Sequence, residues 1–164
     1  MPCASSLMVP SAVVRSVRSR TVGDTDEMRL TFSRQGDYAI RAMLALAGAE
    51  PETWLSVSRI SAAMAIPERI LPRVMRDLGA ADLVEARTGR TGGYRLARPA
   101  DSITLLEVIA AADPEDDARR CVLRGIPCGS DGRCAVHDVF DEARLALNDR
   151  LAQTTLAELV PGPH

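Results

Sequence analysis

The sequence contains no lysine, so all 20 of its basic residues are arginine. This indicates a compositional bias, and each arginine is therefore weaker evidence for recognition of guanine or phosphate than it would be elsewhere. Aromatic residues make up only 3% of the chain against 46% hydrophobic residues, so the core is expected to consist of Leu, Val, Ile, Ala and Met. No apolar run approaches the roughly 20 residues that span a bilayer, and no membrane segment is predicted. A length of 164 residues predicts one domain, or one domain with an appendage.

Signatures of catalysis are also missing. The chain has only two histidines, His137 and His164, and no nucleophile–base motif or Walker phosphate loop. The glycines of residues 89–93 do not lie in a strand–GxGxxG–helix unit, so they do not predict a dinucleotide site. The chain is therefore not predicted to be an enzyme. Its four cysteines occur without a convincing secretory signal, which favours a reducing compartment, the cytoplasm.

Three of the four cysteines, Cys121, Cys128 and Cys134, are concentrated in one short segment. Glycine and proline between them allow the backbone to curl, which would bring the sulphur atoms together. Gathered thiolates suit a soft metal centre, either iron–sulphur or zinc. No Cys-x-x-Cys pair occurs and both gaps exceed those of a zinc knuckle, so an iron–sulphur cluster is favoured. Free or disulphide-bonded thiols are the alternative.

Charge is distributed unevenly along the chain, although its net value is only −2. Residues 56–98 contain eight arginines and four acidic residues, whereas residues 99–164 contain six arginines and twelve acidic residues. This asymmetry favours a polyanion-binding module attached to a second unit, with ordinary surface variation as the alternative.

The hydrophobic spacing predicts a winged helix-turn-helix. Residues 33–49 form the first predicted helix, with Ser33 as its cap. Two short helices follow, one capped by Ser56 and one running from Pro67, or from near Ile70, to about Leu78. Predicted strands at 83–86 and 94–97 flank a basic glycine-rich turn and form the wing. The fold class is therefore mainly α with a small β-hairpin, followed by a long helix.

Five segments result from this pattern. Residues 1–27 are expected to be a disordered extension, with Met28 as an alternative start, and residues 28–99 form the DNA-binding domain. Residues 100–117 are a connecting helix and linker, residues 118–134 the cysteine-rich loop, and residues 135–164 a dimerisation helix and tail. The apolar stripe of that helix predicts packing against a second subunit, and folding back onto its own domain is the alternative.

Eight residues of the predicted DNA-binding domain are candidates for DNA contact. Two arginines near the recognition helix are assigned to base edges, two residues of the preceding helix to phosphates, and two wing arginines to phosphates or the minor groove. Two wing glycines would allow close backbone approach. In that order they are Arg69 and Arg73, Ser58 and Arg59, Arg87 and Arg90, and Gly92 and Gly93. For each arginine the alternative is solvent exposure without contact, which is preferred for Arg76, with Asp77 or Glu85 as possible ion-pair partners.

With these residues in place, positions 28–160 resemble the Rrf2 (Rrf-two) family of bacterial winged-helix regulators. The matching motifs, in the family's order, are Met28-Arg-Leu-Thr31, Asp37-Tyr-Ala39, Gly89-Arg-Thr-Gly-Gly-Tyr94, the three cysteines and Thr155-Leu-Ala-Glu-Leu-Val160. The resemblance implies a homodimeric repressor that binds a palindromic operator and holds a cluster through the three cysteines. The first cysteine gap is one residue longer than in the family's iron–sulphur regulators, so [2Fe-2S] and [4Fe-4S] both stay open.

The resemblance implies two candidates for the fourth cluster ligand. In the family's iron–sulphur regulators it is a histidine three residues after the third cysteine, which corresponds to His137. In the family's nitric-oxide sensors it is an acid of the first helix from the other subunit, which corresponds to Asp37. Asp37 is slightly favoured because such ligation fits a cluster that is lost as a signal. The implied function is control of promoter binding by nitric oxide, redox or iron–sulphur status, with zinc-bound or disulphide-switching cysteines as the alternative.

Overall fold

The computed structural model describes residues 32–50, 52–89, 91–113 and 135–160. Its elements, in chain order, are α1 (Arg34–Ala47), α2 (Val57–Met64), α3 (Leu71–Ala80), β1 (Val84–Arg87), β2 (Gly93–Leu96), a 3-10 turn (Ala100–Ser102), α4 (Leu105–Ala112), α5 (His137–Gln153) and α6 (Leu156–Leu159). This order confirms the predicted fold class of a mainly helical chain with a hairpin wing. The proposed extension of residues 1–27, the three clustered cysteines and Arg90 lie outside the described residues.

Helix α1 occupies the centre of the fold and packs against α2, α3, α4 and α6. Its start follows the predicted cap, because the Ser33 hydroxyl accepts a hydrogen bond of 3.0 Å from the Gly36 N–H. Its inward face combines small and large residues: Ala39, Ala42 and Met43 are completely buried. The alanines let neighbouring helices approach closely, and Met43 fills the space between them.

The helix-turn-helix is formed by α2 and α3. The Ser56 hydroxyl accepts from the Arg59 N–H at 3.3 Å and caps α2 as predicted. Ala65 then takes a left-handed conformation, with φ of 52°, which ends α2 and turns the chain. Helix α3 begins at Leu71, close to the later of its two predicted starts, and Pro72 lies in its first turn, where a missing N–H does no harm.

The wing is an antiparallel pair in which Val84 faces Leu96 and Arg87 faces Gly93. Both strands lie within one residue of their predicted positions. Leu55 adds a short third segment, because it exchanges two backbone hydrogen bonds of 2.9 Å with Tyr94. The hairpin is thereby fastened to the residues that precede α2.

The C-terminal part of the chain returns to the winged domain after α5. The Leu105 N–H donates to the Thr154 carbonyl at 2.9 Å, and the Leu156 N–H donates to the Ile103 carbonyl at 3.0 Å. Leu156 is fully buried. The last helix, α6, has Thr155 as its N-cap residue, which forms a capping box with Glu158.

Helix α5 contacts α4, yet none of its residues is buried. Val139 is 69% exposed and Leu145 is 57% exposed. The apolar stripe predicted for this helix is therefore only partly covered by the described residues of its own chain. Across the described ranges, no helix has both the length and the apolar character to cross a membrane.

Candidate nucleic-acid interface

The recognition helix α3 buries its apolar face in the core and presents its opposite, basic face to solvent. Leu71, Val74, Met75 and Leu78 are buried with at most 1% exposure. Arg73 and Arg76 lie on the exposed side, three residues apart, so they neighbour each other on the helix surface. Arg69 is exposed in the turn that precedes the helix rather than in the helix itself.

Two acidic residues near α3 have other partners, and among the described residues neither forms an ion pair with Arg73 or Arg76. Asp77 accepts a hydrogen bond of 2.6 Å from the Gln35 amide, and Glu85 pairs with Arg95 at 2.8 Å. The ion pairs considered for Arg76 are therefore not formed. Arg76 therefore joins Arg73 as a candidate for DNA contact, although the sequence analysis left it out. Its spacing of three residues from Arg73 could have revealed it.

Ser58 and Arg59 are exposed in the first turn of α2. The backbone N–H groups at this end of a helix carry partial positive charge, which favours a nearby phosphate. The exposed Arg59 guanidinium adds a full charge there. Both residues are accessible, and their assignment to phosphate contact stays a prediction.

The wing glycines have a role within the protein. A Cβ at Gly92 would lie 2.2 Å from the Arg87 carbonyl oxygen, and one at Gly93 would lie 2.3 Å from the Leu55 carbonyl oxygen. Gly93 also has a φ of 155°, in a region that other residues avoid. These glycines therefore permit close approach of the protein's own strands, whether or not DNA also approaches them.

The wing arginine Arg87 is held by two contacts. Its guanidinium carbon lies 4.5 Å from the centre of the Trp54 ring, and its Nη2 donates to the Thr91 carbonyl at 2.6 Å. Arg95, from the opposite strand, contacts the same ring at 4.9 Å. Sequence reasoning missed Trp54 because its partners lie more than 30 residues away, on the hairpin. Only the pairing of Leu55 with Tyr94 brings them together.

Asp37, one of the two candidate fourth ligands, lies in the first turn of α1 and forms an ion pair with Arg41. Two contacts, of 2.7 and 2.9 Å, join the carboxylate to the guanidinium. Arg41 also reaches the carbonyl of Met64, the last residue of α2, at 3.5 Å. Arg41 thus joins Asp37, at the start of α1, to the end of α2, the first helix of the helix-turn-helix.

His137, the other candidate, is the first residue of α5 and is half-buried. The part of the chain that the structure describes holds no group of three or more His, Cys, Asp or Glu side chains that could bind a metal ion. Cys121, Cys128 and Cys134 lie outside that part. The proposed ligand set therefore stays a prediction.

The exposed basic recognition helix, followed by a braced basic hairpin, defines a DNA-binding transcriptional regulator of the winged-helix class. The chain belongs to the Rrf2 family, described as iron-dependent transcriptional regulators, which it matches over residues 32–162. The predicted resemblance is confirmed.

Relatives and solved structures agree with this assignment. The HTH-type transcriptional regulator IscR of Vibrio campbellii is 35% identical over 133 residues, which cover 81% of this chain and 77% of that protein. The structure of CymR, the global cysteine regulator of B. subtilis, superposes with a TM-score of 0.67 and 27% identity, over 80% of this chain and 96% of CymR. IscR of T. potens, at 23% identity and a TM-score of 0.63, shares the fold over 79% of this chain and 85% of its own.

Proposed function

We propose that this protein is a cytoplasmic, homodimeric repressor whose promoter binding is controlled by an iron–sulphur cluster on Cys121, Cys128 and Cys134. One observation supports a link between that cluster and the DNA-binding half. The segment that carries the cysteines follows Asp113, whose carboxylate accepts a hydrogen bond from Ser33 at the start of α1. Ser33 lies one turn before Asp37. The chain therefore enters the cysteine segment beside the end of α1 that carries its own Asp37.

The donor set suits an iron–sulphur cluster. Three thiolates with one carboxylate or imidazole match the soft and borderline ligands that such clusters accept. The Asp37 side chain is 41% exposed, so it is accessible from outside its own domain. We propose Asp37 of the other subunit as the fourth ligand, with His137 as the alternative. The cluster would supply a cross-link that is sensitive to nitric oxide, oxidant or iron supply.

The path from the cluster to DNA runs through α1. Ligation by Asp37 would compete with its ion pair to Arg41, and Arg41 also contacts the Met64 carbonyl at the end of α2. Helix α1 packs directly against α2 and α3. A change in the surroundings of Asp37 would thus be transmitted to the helix-turn-helix. Because ligands must be gathered and deprotonated, assembly would also order the cysteine segment.

On DNA, a dimer joined along α5 would read the two half-sites of a palindrome. Arg69 and Arg73 would reach base edges, while Ser58 and Arg59 would contact phosphates. The wing residues Arg87 and Arg90 would reach phosphates or the minor groove. The exposed apolar side chains of α5 support association through that helix.

The central test compares operator affinity of the cluster-loaded and cluster-free protein at fixed salt. The two states are expected to differ by about 1–3 kcal/mol, the usual range of allosteric coupling, and equal affinities would exclude the switch. Alanine at each of the three cysteines should abolish the visible absorbance of anaerobically purified protein. A variant that kept the full spectrum would remove that residue from the ligand set.

The fourth ligand is tested by two matched variants. Asp37→Asn is expected to alter the absorption and EPR spectra and to speed cluster loss on exposure to nitric oxide. His137→Gln should leave both properties close to those of the wild type. The reverse result would assign the site to His137. Because Asp37→Asn also removes the ion pair to Arg41, Arg41→Gln serves as the control for that effect.

A second candidate function is a winged-helix regulator whose cysteines bind zinc or form a switching disulphide. It is kept as the second candidate because the chain is similar to CymR, the global cysteine regulator of B. subtilis, as well as to IscR. Iron, sulphide and zinc analysis of the anaerobic protein separates the two candidates. A colourless protein with stoichiometric zinc, or with thiols that oxidise reversibly and change operator affinity, would support the second.

A further inference from the structure

Trp54 lies at the base of the wing and contacts arginines from both strands. Its ring centre is 4.5 Å from the Arg87 guanidinium carbon and 4.9 Å from that of Arg95. Both distances fall within the roughly 6 Å range of a cation–π contact. Trp54 is the only tryptophan of the chain, and the function proposed above assigns it no role.

Strand pairing explains how Trp54 reaches Arg87. The next residue, Leu55, is paired with Tyr94 of β2. Gly93, directly opposite Arg87 in the hairpin, has no side chain, and a Cβ there would meet the Leu55 carbonyl at 2.3 Å. No cross-strand side chain therefore competes with Trp54 for the space beside Arg87.

The two arginines differ in how their charge is balanced. Arg95 donates to Glu85 at 2.8 Å and also pairs with Glu52, so two carboxylates neutralise it. Arg87 donates to a neutral acceptor, the Thr91 carbonyl. Among the residues that the structure describes, it has no carboxylate partner. The positive charge of Arg87 is therefore not offset by a described carboxylate, whereas the charge of Arg95 is offset and its side chain braces the wing.

We propose that Trp54 is a positioning residue of the DNA interface, which holds the Arg87 guanidinium ready to receive a DNA phosphate. Stacking occupies the face of the planar group and leaves N–H donors at its edge for hydrogen bonding. Because the stacked side chain is already partly ordered, it loses less rotamer freedom on binding. The inference rests on the DNA contact proposed for Arg87 and is independent of the cluster.

The test is a double-mutant cycle in DNA affinity, with the full chain and a duplex that the wild type selects from a random pool. Trp54→Leu is expected to weaken binding about two- to fivefold, as expected for loss of an exposed cation–π contact. In the Arg87→Gln background the same change should have no effect, because the positioned group is gone. A hairpin that merely needs Trp54 for folding would lose affinity equally in both backgrounds.

The salt dependence gives a second readout. Arg87→Gln should reduce the slope of log affinity against log salt by about 0.9 for each wing that contacts a phosphate. Arg150→Gln, at an exposed position in the last turn of α5, removes the same charge outside the winged domain and should leave the slope unchanged. An unchanged slope for Arg87→Gln would overturn the proposal.

Trp54→Phe is a second variant that keeps the test decisive if Trp54→Leu does not fold. The Phe ring keeps a weaker cation–π face, so a smaller loss that again vanishes with Arg87→Gln is expected. If the affinity losses of the Trp54 and Arg87 variants were additive, or if the Trp54 variants lost no affinity, the role of Trp54 would be overturned while the DNA contact of Arg87 could still stand. A wild-type chain that binds no duplex would instead overturn the DNA contact of Arg87, and this inference with it.

Discussion

The Ser33 hydroxyl donates a hydrogen bond to the Asp113 carboxylate while it accepts one from the Gly36 N–H. One side chain therefore begins α1 and also fastens the last described residue before the cysteine segment. Gly36 leaves room for this arrangement, since a Cβ there would lie 3.1 Å from Asp113 Oδ2.

Ser33→Ala is expected to lower the free energy of unfolding by about 1 kcal/mol, the typical value of a lost helix cap. Asp113→Ala should cost less, because it removes the contact to Ser33 but leaves the cap in place. Urea denaturation at one fixed protein concentration measures both variants, since association would otherwise change apparent stability. Equal losses would show that the hydrogen bond to Asp113, rather than the cap, supports the start of α1.

Ser61→Ala is expected to stabilise the protein. Ser61 is 6% exposed, and its Oγ is buried without a hydrogen-bond partner among the described residues. Removing an unsatisfied buried hydroxyl avoids a penalty of about 1–3 kcal/mol, and alanine also has the higher helix propensity. Ser58→Ala, at an exposed position of the same helix, should gain only the propensity difference. Destabilisation by Ser61→Ala would mean that the hydroxyl has a partner in solution.

Local signals in the sequence determined much of the fold. The caps Ser33 and Ser56 each depend on residues within one helical turn, and both are present as predicted. The end of α3 was less predictable. The helix was predicted to end at about Leu78 and continues to Ala80, and Asp82 takes the left-handed turn with φ of 55°. Aspartate tolerates this conformation better than most residues, so glycine was not needed there.

The site was predictable only where it depends on a single element. The exposure of Arg73 follows from helical periodicity and is present as expected, whereas Arg69 is exposed in the turn before α3. The contact of Trp54 with Arg87 and Arg95 depends on the register of the hairpin and on its pairing with Leu55, neither of which a local pattern reveals. The hydrogen bond from Gln35 to Asp77 likewise depends on how α1 packs against α3, and among the described residues Arg76 has no ion-pair partner.

Glu107 should make stability depend on pH. The Arg98 guanidinium, at 2.8 Å, and then the Thr104 N–H lower the pKa of the Glu107 carboxyl below its usual value. A lowered pKa means that the folded state favours the ionised form. Its contribution is therefore complete above the unfolded pKa of about 4.3 and is lost as the pH falls through the folded value.

Glu107→Gln isolates the charge, because glutamine can still accept the Thr104 N–H in a capping box. Both partners are 40% exposed, so the variant should be less stable at pH 7 by no more than about 0.2–1 kcal/mol. The difference from the wild type should shrink below about pH 4. Denaturation curves at several pH values measure it, with the exposed Glu68→Gln as a control. If the stability difference between Glu107→Gln and the wild type persisted below about pH 4, the proposed role of the charge would be contradicted.

Arg73 and Arg76 should differ in what they contribute to DNA binding. The N-terminal residues of a recognition helix reach base edges, so Arg73 is expected to lie closer to the bases and Arg76, further along, closer to the backbone. Arg73→Gln should reduce the preference for the selected duplex over a single-base variant by about 1–3 kcal/mol. Arg76→Gln should weaken both duplexes equally, because phosphates are present in every sequence. Competition between two differently labelled duplexes measures the ratio of the two affinities directly. If Arg76→Gln changed this ratio, the base-reading surface would extend towards the C-terminal half of α3.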